Sequence, residues 1–307
     1  MLVVGAKVTD KVETLYKNLP FIGKSQGDSP EILWLEIRPT SGWFSLDLRE
    51  LWAYRELAYF LAWREIKVRY KQTAIGVAWA VLQPLAMMLV FTVFFGKLGN
   101  LPSDGIPYPL FTFAALLPWQ LFSRTITECT NSLVADQRLI TRVYFPRIII
   151  PLATTMSAIV DFAISAGLLV ALMLFYGVMP GVEIVWLPAF ILLMLIAALG
   201  VGFWLSALNV EYRDVRYALP FVNQFWLFVT PVVYSSSLVP ERWQVLYGLN
   251  PMVGVVEGFR WALLGAGRGP SPMLIVSAVI AVALFVSGII WFHRREQTFV
   301  DTLGTGG

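Results

Sequence analysis

The chain has 307 residues, of which 57% are hydrophobic and 14% are charged, and its mean hydropathy is +0.68. Soluble domains carry roughly 45–50% apolar and ~25% charged residues, so this composition argues against a soluble globular protein. With 14% aromatic residues it also excludes a disordered chain. The single cysteine, Cys129, and the single histidine, His293, exclude a disulfide framework and multi-histidine metal chemistry. A net charge of +3 is too small to indicate a nucleic-acid partner.

The first 71 residues divide into two polar segments. Residues 1–45 are rich in proline and glycine, which predicts a partly disordered cytoplasmic extension. Residues 46–71 are predicted to form one amphipathic interfacial helix, because Trp52, Tyr59 and Trp63 fall on one face and aromatic residues of this kind favour the headgroup region. The dense, mixed-sign charges on the other face leave two interpretations open, a simple membrane anchor or a docking surface for a cytoplasmic partner.

Six stretches are long and apolar enough to cross a hydrocarbon core of ~30 Å, which takes about 20 helical residues. They are residues 75–96, 108–127, 148–176, 184–208, 217–238 and 272–292. The predicted fold is therefore an all-α integral membrane protein with a six-span domain over residues 72–292. Residues 239–271 contain apolar pieces of about 10–14 residues, which predicts short re-entrant helices between the fifth and sixth spans. Residues 293–307 form a C-terminal tail.

The basic residues predict the orientation of the chain in the membrane. Of the Lys and Arg residues, 19 fall on one side of the predicted spans and 4 on the other. Short loops that carry Lys and Arg remain cytoplasmic, so both termini and the tail are predicted to be cytoplasmic. Residues 239–271 then lie on the external side.

Two local features constrain the mechanism. Gly23-Lys24-Ser25 lacks the glycine that a phosphate-binding loop requires five residues earlier, where Asn18 stands, so the chain is not predicted to bind ATP itself. Asp161 is an ionisable residue ~20 Å into the third predicted span. It is either a buried carboxylate that fixes helix packing or part of a polar patch that lines a conduit. As a lone carboxylate it argues against a proton-driven carrier.

Motifs along the chain resemble one family in register with these spans. They are WREIKVRYKQT (63–73) with Gly76, Trp79 and Gln83-Pro84, LLPWQLF (116–122), LITRVYFPRIIIPL (139–152), LNVEYRDVRYALPF (208–221), TPVVYSSSLVP (230–240) and LNPMVGVVEGFRWALLG (249–265). Together they resemble the permease subunits of polysaccharide-exporting ABC transporters of the type-two exporter class, which serve O-antigen, capsule and teichoic-acid export. The resemblance covers roughly residues 46–292.

The resemblance implies a transport subunit of the bacterial plasma membrane that has no catalytic residues and no cofactor of its own. Such permeases form homodimers around a central conduit, and each pairs with a separate cytoplasmic subunit that binds ATP and Mg. The implied cargo is a lipid-linked polysaccharide, and no metal site or nucleic-acid partner is implied. Two alternatives stay open, an ABC permease for another lipid or a drug, and a membrane-embedded glycosyl- or acyltransferase.

The resemblance and the aromatic content suggest three groups of functional residues. Residues expected to contact the ATP-binding subunit lie in the predicted cytoplasmic segments: Arg138, Arg142, Tyr144, Arg147, Glu211, Arg213, Asp214, Glu56 and Arg64. The alternative role of the arginines is to set the membrane topology and to anchor the chain at lipid headgroups. Residues expected to line the channel are mostly aromatic, as suits stacking on sugar rings, with helix packing as the alternative role of each: Trp79, Phe91, Phe94, Trp119, Phe122, Asp161, Phe225, Trp226 and Tyr234. Residues expected to form an external gate, with a packing cap as the alternative, lie within 239–271: Trp243, Tyr247, Asn250, Glu257, Phe259 and Arg260.

Overall fold

A computed structural model describes most of the chain, and its described residues divide into two compact units, one within residues 1–55 and one within 56–307. The described residues are 22–23, 34–35, 48–71, 76–266, 269, 271–296 and 298–299. In the first unit, strands β1 (Ile22–Gly23) and β2 (Trp34–Leu35) pair antiparallel, and helix α1 spans Leu48–Ala53. Apart from these strands, the predicted extension 1–45 lies outside the described residues.

The predicted interfacial segment is two helices and not one. Helix α1 ends at Ala53, and helix α2 (Arg55–Lys71) begins after Tyr54, so the prediction of a continuous helix over 46–71 is wrong. Arg55 donates a hydrogen bond from Nη1 to the carbonyl oxygen of Trp52 at 3.2 Å, which satisfies a carbonyl that the end of α1 leaves without a helical partner.

The second unit is formed by helices joined by short connections. In chain order after α2 they are α3 (Gly76–Phe91), α4 (Tyr108–Ala135), α5 (Gln137–Arg142), α6 (Ile149–Tyr176), α7 (Leu187–Glu211), α8 (Val215–Val229), α9 (Glu241–Tyr247), α10 (Pro251–Leu264) and α11 (Pro272–Glu296). Helix α3 continues as π-helical turns over Thr92–Leu98, and 3₁₀ turns at Val182–Trp186 and Ser236–Leu238 precede α7 and α9.

Within the described residues, four helical segments are long and apolar enough to cross a membrane: Ala78–Leu98, Ile149–Tyr176, Val182–Glu211 and Pro272–Glu296. They correspond to the first, third, fourth and sixth predicted spans and confirm a helical integral membrane protein. Helix α4, at the second predicted span, has 28 residues and a more polar composition. Six spans remain a prediction.

The fifth predicted span is not helical throughout. Helix α8 stops at Val229 and covers about 22 Å at ~1.5 Å per residue, less than the ~30 Å of a hydrocarbon core. The expectation of one apolar helix over 217–238 is therefore wrong beyond Val229. The following stretch buries Thr230, Val232, Val233 and Ser235, so its irregular backbone lies inside protein.

Helix α4 forms the centre of the second unit. Its side chains from Leu110 to Leu117 are almost completely buried, and it packs against α3, α6, α7, α8 and α10. Several polar side chains on α4 bond to its own backbone, as Thr130 Oγ1 donates to the carbonyl of Ile126 at 2.7 Å, whereas the buried Thr125 Oγ1 has no partner among the described residues. Since this helix faces protein on most sides, it does not need the uniformly apolar surface of a helix that faces lipid.

Helices α7 and α11 approach closely at two glycines. A Cβ atom built on Gly200 would lie 2.6 Å from the backbone nitrogen of Phe285, and one built on Gly288 would lie 2.3 Å from the carbonyl oxygen of Gly200. Trp204 and Trp291 stack beside this crossing with ring centroids 4.5 Å apart. Close backbone approach at small residues is the usual way in which membrane helices gain packing energy.

Candidate functional site

A cavity of about 580 Å³ lies between helices α3, α4, α6 and α8, with the end of α2 at its edge. Aromatic and amide side chains form much of its wall: Trp79, Gln83, Trp119, Gln120, Asn223 and Gln224. This volume falls within the ~300–1,000 Å³ that is usual for small-molecule sites. Within the described part of the chain, the buried atoms Gln120 Nε2 and Asn223 Oδ1 of this wall have no hydrogen-bond partner.

The amides and tryptophans suit a guest that carries hydroxyl groups. A primary amide offers both donors and acceptors, which matches a hydroxyl group, and an indole ring presents a flat apolar face. Asn223 is held in place because its Nδ2 donates to Thr127 Oγ1 at 3.0 Å. The wall combines fixed polar groups with apolar faces, as binding pockets for small polar ligands do.

One part of the cavity wall is an ionic cluster that joins three helices. Arg69 on α2 donates to Glu128 Oε1 on α4 at 2.6 Å, and its Nε lies 3.5 Å from Asp161 Oδ2 on α6. Arg124 on α4 pairs with both carboxylates, at 3.0 Å to Glu128 and in direct contact with Asp161. Tyr70 donates its hydroxyl to Asp161. We call Arg69, Arg124, Glu128 and Asp161 the ionic cluster.

The environment of Asp161 differs from the prediction of a lone carboxylate. Two arginines and a tyrosine contact it, and its side chain is 10% exposed. Burial and the Asp161 hydrogen bond raise the pKa of Tyr70, so the tyrosine remains a hydrogen-bond donor to Asp161 at physiological pH. Asp161 therefore belongs to a network that links three helices, and it is not a lone carboxylate.

The predicted channel residues fall in three environments. Trp79, Phe91, Trp119 and Asp161 line the cavity. Phe122 is fully buried and Trp226 half-buried, and they pack edge to face with centroids 5.0 Å apart beside the cavity. The remaining three lie elsewhere, since Phe94 and Phe225 are exposed and Tyr234 shares a hydrogen bond of 2.7 Å with Tyr247.

The short helix α5 and the residues directly after it carry the first group of predicted coupling residues. Arg138, Arg142 and Tyr144 are exposed, while Ile140 and Phe145 are buried on the opposite side. The two apolar anchors hold the segment against the rest of the unit and leave its basic and aromatic side chains outward. This arrangement provides an exposed basic and aromatic surface on an anchored segment.

Two other predicted coupling residues are tied to the end of α11. The backbone nitrogen of Arg147 donates to Glu296 Oε1 at 2.9 Å, and its guanidinium contacts the Glu296 carbonyl. Glu211 pairs with Arg295 at 2.8 Å. The neighbouring Arg213 and Asp214 are exposed. The tail predicted from residue 293 therefore begins as helix, with the carboxyl end of α11 joined to both loops.

Helix α2 is tied to the segment that precedes α5. Arg64 donates to Asp136 Oδ2 at 2.5 Å and to Glu65 Oε1 at 2.7 Å, whereas Glu56 is exposed. The hydrogen bond to Asp136 raises the pKa of Arg64 above its usual value, so this side chain stays charged. Arg64 thus makes an internal contact in the second unit.

The predicted external gate centres on a fully buried arginine. Arg260 donates to the carbonyl oxygens of Val232 at 2.8 Å, Tyr234 at 3.2 Å and Phe111 at 3.4 Å, and to Glu257 Oε1 at 3.3 Å. Glu257 and Arg260 lie three residues apart and form a buried ion pair, since their side chains are 8% and 1% exposed. Arg260 therefore donates hydrogen bonds to backbone carbonyls in the irregular stretch after α8. In a continuous helix, backbone N–H groups would donate to these carbonyls.

The other predicted gate residues surround this arginine in different ways. Asn250 caps α10 by accepting from the Met252 backbone nitrogen at 3.1 Å, and its Oδ1 also accepts from Trp226 Nε1 at 2.9 Å. Phe259 is fully buried, and Trp243 is half exposed. The gate segment is thereby fixed to α8 by Asn250 and to α4 by Arg260.

Sequence reasoning missed the members of the ionic cluster other than Asp161, and the cavity amides. Arg124 and Glu128 lie four residues apart at the end of the second predicted span, which is a detectable helix pair. Their contact with Arg69, 59 residues from Glu128, has no local signal.

The fold and this site define a multi-pass helical membrane protein with a cavity lined by aromatic and amide side chains and by the ionic cluster. The model of the ABC-2 type transporter family matches residues 56–264, and the chain belongs to that family. This confirms the family class inferred from the six motifs.

Curated relatives match most of the chain. An O-antigen export system permease protein of Myxococcus xanthus is 31% identical over 81% of this chain and 96% of its own length. A protein of the same name from Klebsiella pneumoniae is 26% identical over 78% of this chain and 92% of its own length. A polysialic acid transport protein of Escherichia coli is 24% identical over 78% of this chain and 93% of its own length.

Proposed function

We propose that this chain is the permease subunit of an ATP-driven exporter that moves a lipid-linked polysaccharide across the bacterial plasma membrane. The cavity carries the proposal, because its two tryptophans and four amides suit sugar hydroxyl groups and ring faces. The names of the relatives, two O-antigen export permeases and a polysialic acid transport protein, support a glycan cargo. The chain itself performs no chemistry in this proposal.

The proposal includes a complete six-span protomer with both termini in the cytoplasm. Helix α4 would be the second span, and α8 with the buried stretch 230–235 would be the fifth. Two copies would form the channel between them, and a cytoplasmic subunit that binds ATP and Mg would contact each copy. The exposed residues of α5 and the loop after α7 support this contact, since they project from anchored segments.

The first experiment tests the partner. The chain is purified with a terminal tag from its native membranes in mild detergent, and co-purifying subunits are quantified. We expect an ATP-hydrolysing subunit in a 1:1 ratio with the chain. A chain that purifies alone and shows no nucleotide-dependent activity in membranes would contradict the proposal.

A second experiment tests the cavity. Trp79 is 61% exposed, so Trp79→Ala costs little packing, and we expect it to lower surface polysaccharide while the subunit amount stays constant. Trp119 is 4% exposed, so the milder Trp119→Phe is the suitable change there. Trp186→Ala is the matched control, because Trp186 is 55% exposed and lies outside the cavity wall. Equal export by all three variants would refute the cavity assignment.

A further inference from the structure

Among the described residues, the ionic cluster is electrically balanced, which limits what it can do. It contains two arginines and two carboxylates, and each carboxylate contacts both arginines. Ser157 adds a hydrogen bond of 2.6 Å to Glu128 Oε2 and accepts one of 3.2 Å from Arg69. With two positive and two negative charges in mutual contact, the cluster is not suited to capture an anion.

Arg69 occupies a special position in the cluster because it contacts two neighbouring helices from a third. Its guanidinium touches Glu128 on α4 and both Ser157 and Asp161 on α6. Any movement that separates α4 from α6 must therefore release one of these contacts or move α2. Contacts of this kind between partly buried charges are costly to break singly.

The same helices connect the cavity to the predicted coupling surface. All four cluster residues line the cavity, so a guest that enters it meets them directly. Five residues before Arg69, Arg64 holds α2 to Asp136, the residue immediately before α5. Helix α2 is thus fixed at one point to the cavity wall and at another to the segment that carries Arg138 and Arg142.

We propose that Arg69 is a positioning residue that couples occupancy of the cavity to ATP hydrolysis by the partner subunit, through α2. This rests on the proposed function, since it requires a partner that hydrolyses ATP and a cargo that stimulates it. A guest that displaces α4 relative to α6 moves α2 through Arg69, and α2 shifts α5 through the Arg64–Asp136 contact. The free energy that couples cavity occupancy to ATP hydrolysis then comes from the charge pairs that Arg69 makes.

The test measures the ratio of stimulated to basal ATP hydrolysis in the complete complex reconstituted in liposomes. The stimulus is the lipid-linked oligosaccharide fraction extracted from membranes of the same cells. We expect Arg69→Glu to lower this ratio about fivefold or more, the size of a typical coupling between sites. Arg69→Lys, which keeps the charge without the planar fork, should lie between it and the unmodified chain. Lys71→Gln is the matched control, an exposed basic residue at the end of the same helix.

A charge exchange separates coupling from folding. Arg69→Glu combined with Glu128→Arg keeps two positive and two negative charges in the cluster, so we expect it to restore at least half of the lost ratio. If Arg69→Glu prevents assembly, the ratio of stimulated to basal ATP hydrolysis is still measured for Arg69→Lys and for the exchanged pair. Full stimulation of Arg69→Glu, or an exchanged pair no better than the single change, would overturn the role of Arg69 alone. An unmodified complex that hydrolyses ATP without any stimulation would overturn the glycan cargo and this inference together.

Discussion

The buried Arg260 allows a quantitative test of how the gate segment is held. Arg260→Met keeps much of the side-chain volume but leaves Glu257 as a buried charge and removes donors from the carbonyls of Val232, Tyr234 and Phe111. Breaking a buried ion pair by removing one partner costs about 3–5 kcal/mol. For a unit of this size each kcal/mol shifts the unfolding midpoint by roughly 2–4 °C. We therefore expect Tm to fall by about 6–20 °C.

The assay is thermal unfolding of the purified complex in detergent, followed by the loss of the monodisperse chromatographic peak. Arg242→Met is the matched control, since Arg242 is an exposed arginine on the adjacent helix α9, and its Tm should stay within about 2 °C. Adding Glu257→Gln to Arg260→Met should recover part of the loss, because it removes the unpaired buried charge. An unchanged Tm for Arg260→Met, or a double variant less stable than the single one, would refute this account of the gate.

Three further predictions concern packing, capping and coupling. Gly200→Leu should reduce the amount of folded protein in membranes, measured by fluorescence-detected chromatography, because its side chain would meet the α11 backbone at Phe285. Asn250→Ala should lower stability by about 1 kcal/mol through loss of the α10 cap, with a Tm decrease in the same assay. Arg142→Glu should abolish export while the permease stays inserted and the basal ATP hydrolysis of its partner persists. Normal polysaccharide export by that variant would remove α5 from the coupling surface.

Most of the membrane architecture could be predicted from hydropathy, and α4 shows where hydropathy weakens. Helices α6, α7 and α11 have long apolar surfaces that the sequence displays directly. Helix α4 is more polar because its neighbours are helices, so Thr125, Thr130 and Ser132 are buried in protein. Hydropathy measures how favourably a helix is transferred into lipid. The central helix of a bundle contacts mainly other helices, so it has the least need of an apolar surface.

The candidate site was predicted less completely, because it depends on contacts between distant parts of the chain. Trp79 and Trp119 were identified from their residue type and from the predicted spans that carry them. The partners of Asp161 were not, since Tyr70 lies 91 residues away and belongs to a segment predicted to lie on the membrane surface. The mixed-sign charges of α2 left a membrane anchor and a docking surface open, and they carried no signal for the contacts that Arg64 and Arg69 make with Asp136 and Glu128.

The end of α8 within the fifth predicted span explains why the predicted gate segment contains a buried charge. Where α8 ends at Val229, the backbone loses its helical donors, and unsatisfied carbonyls in an apolar setting each cost about 1–3 kcal/mol. Arg260 donates to the carbonyls of Val232 and Tyr234, and Tyr108 donates to that of Val233 at 2.5 Å. An arginine has five donors in a rigid plane, so one side chain replaces several backbone donors at once. The irregular stretch after α8 and the buried arginine of α10 therefore stabilise each other. A substitution that removes their hydrogen bonds should destabilise the whole predicted gate segment.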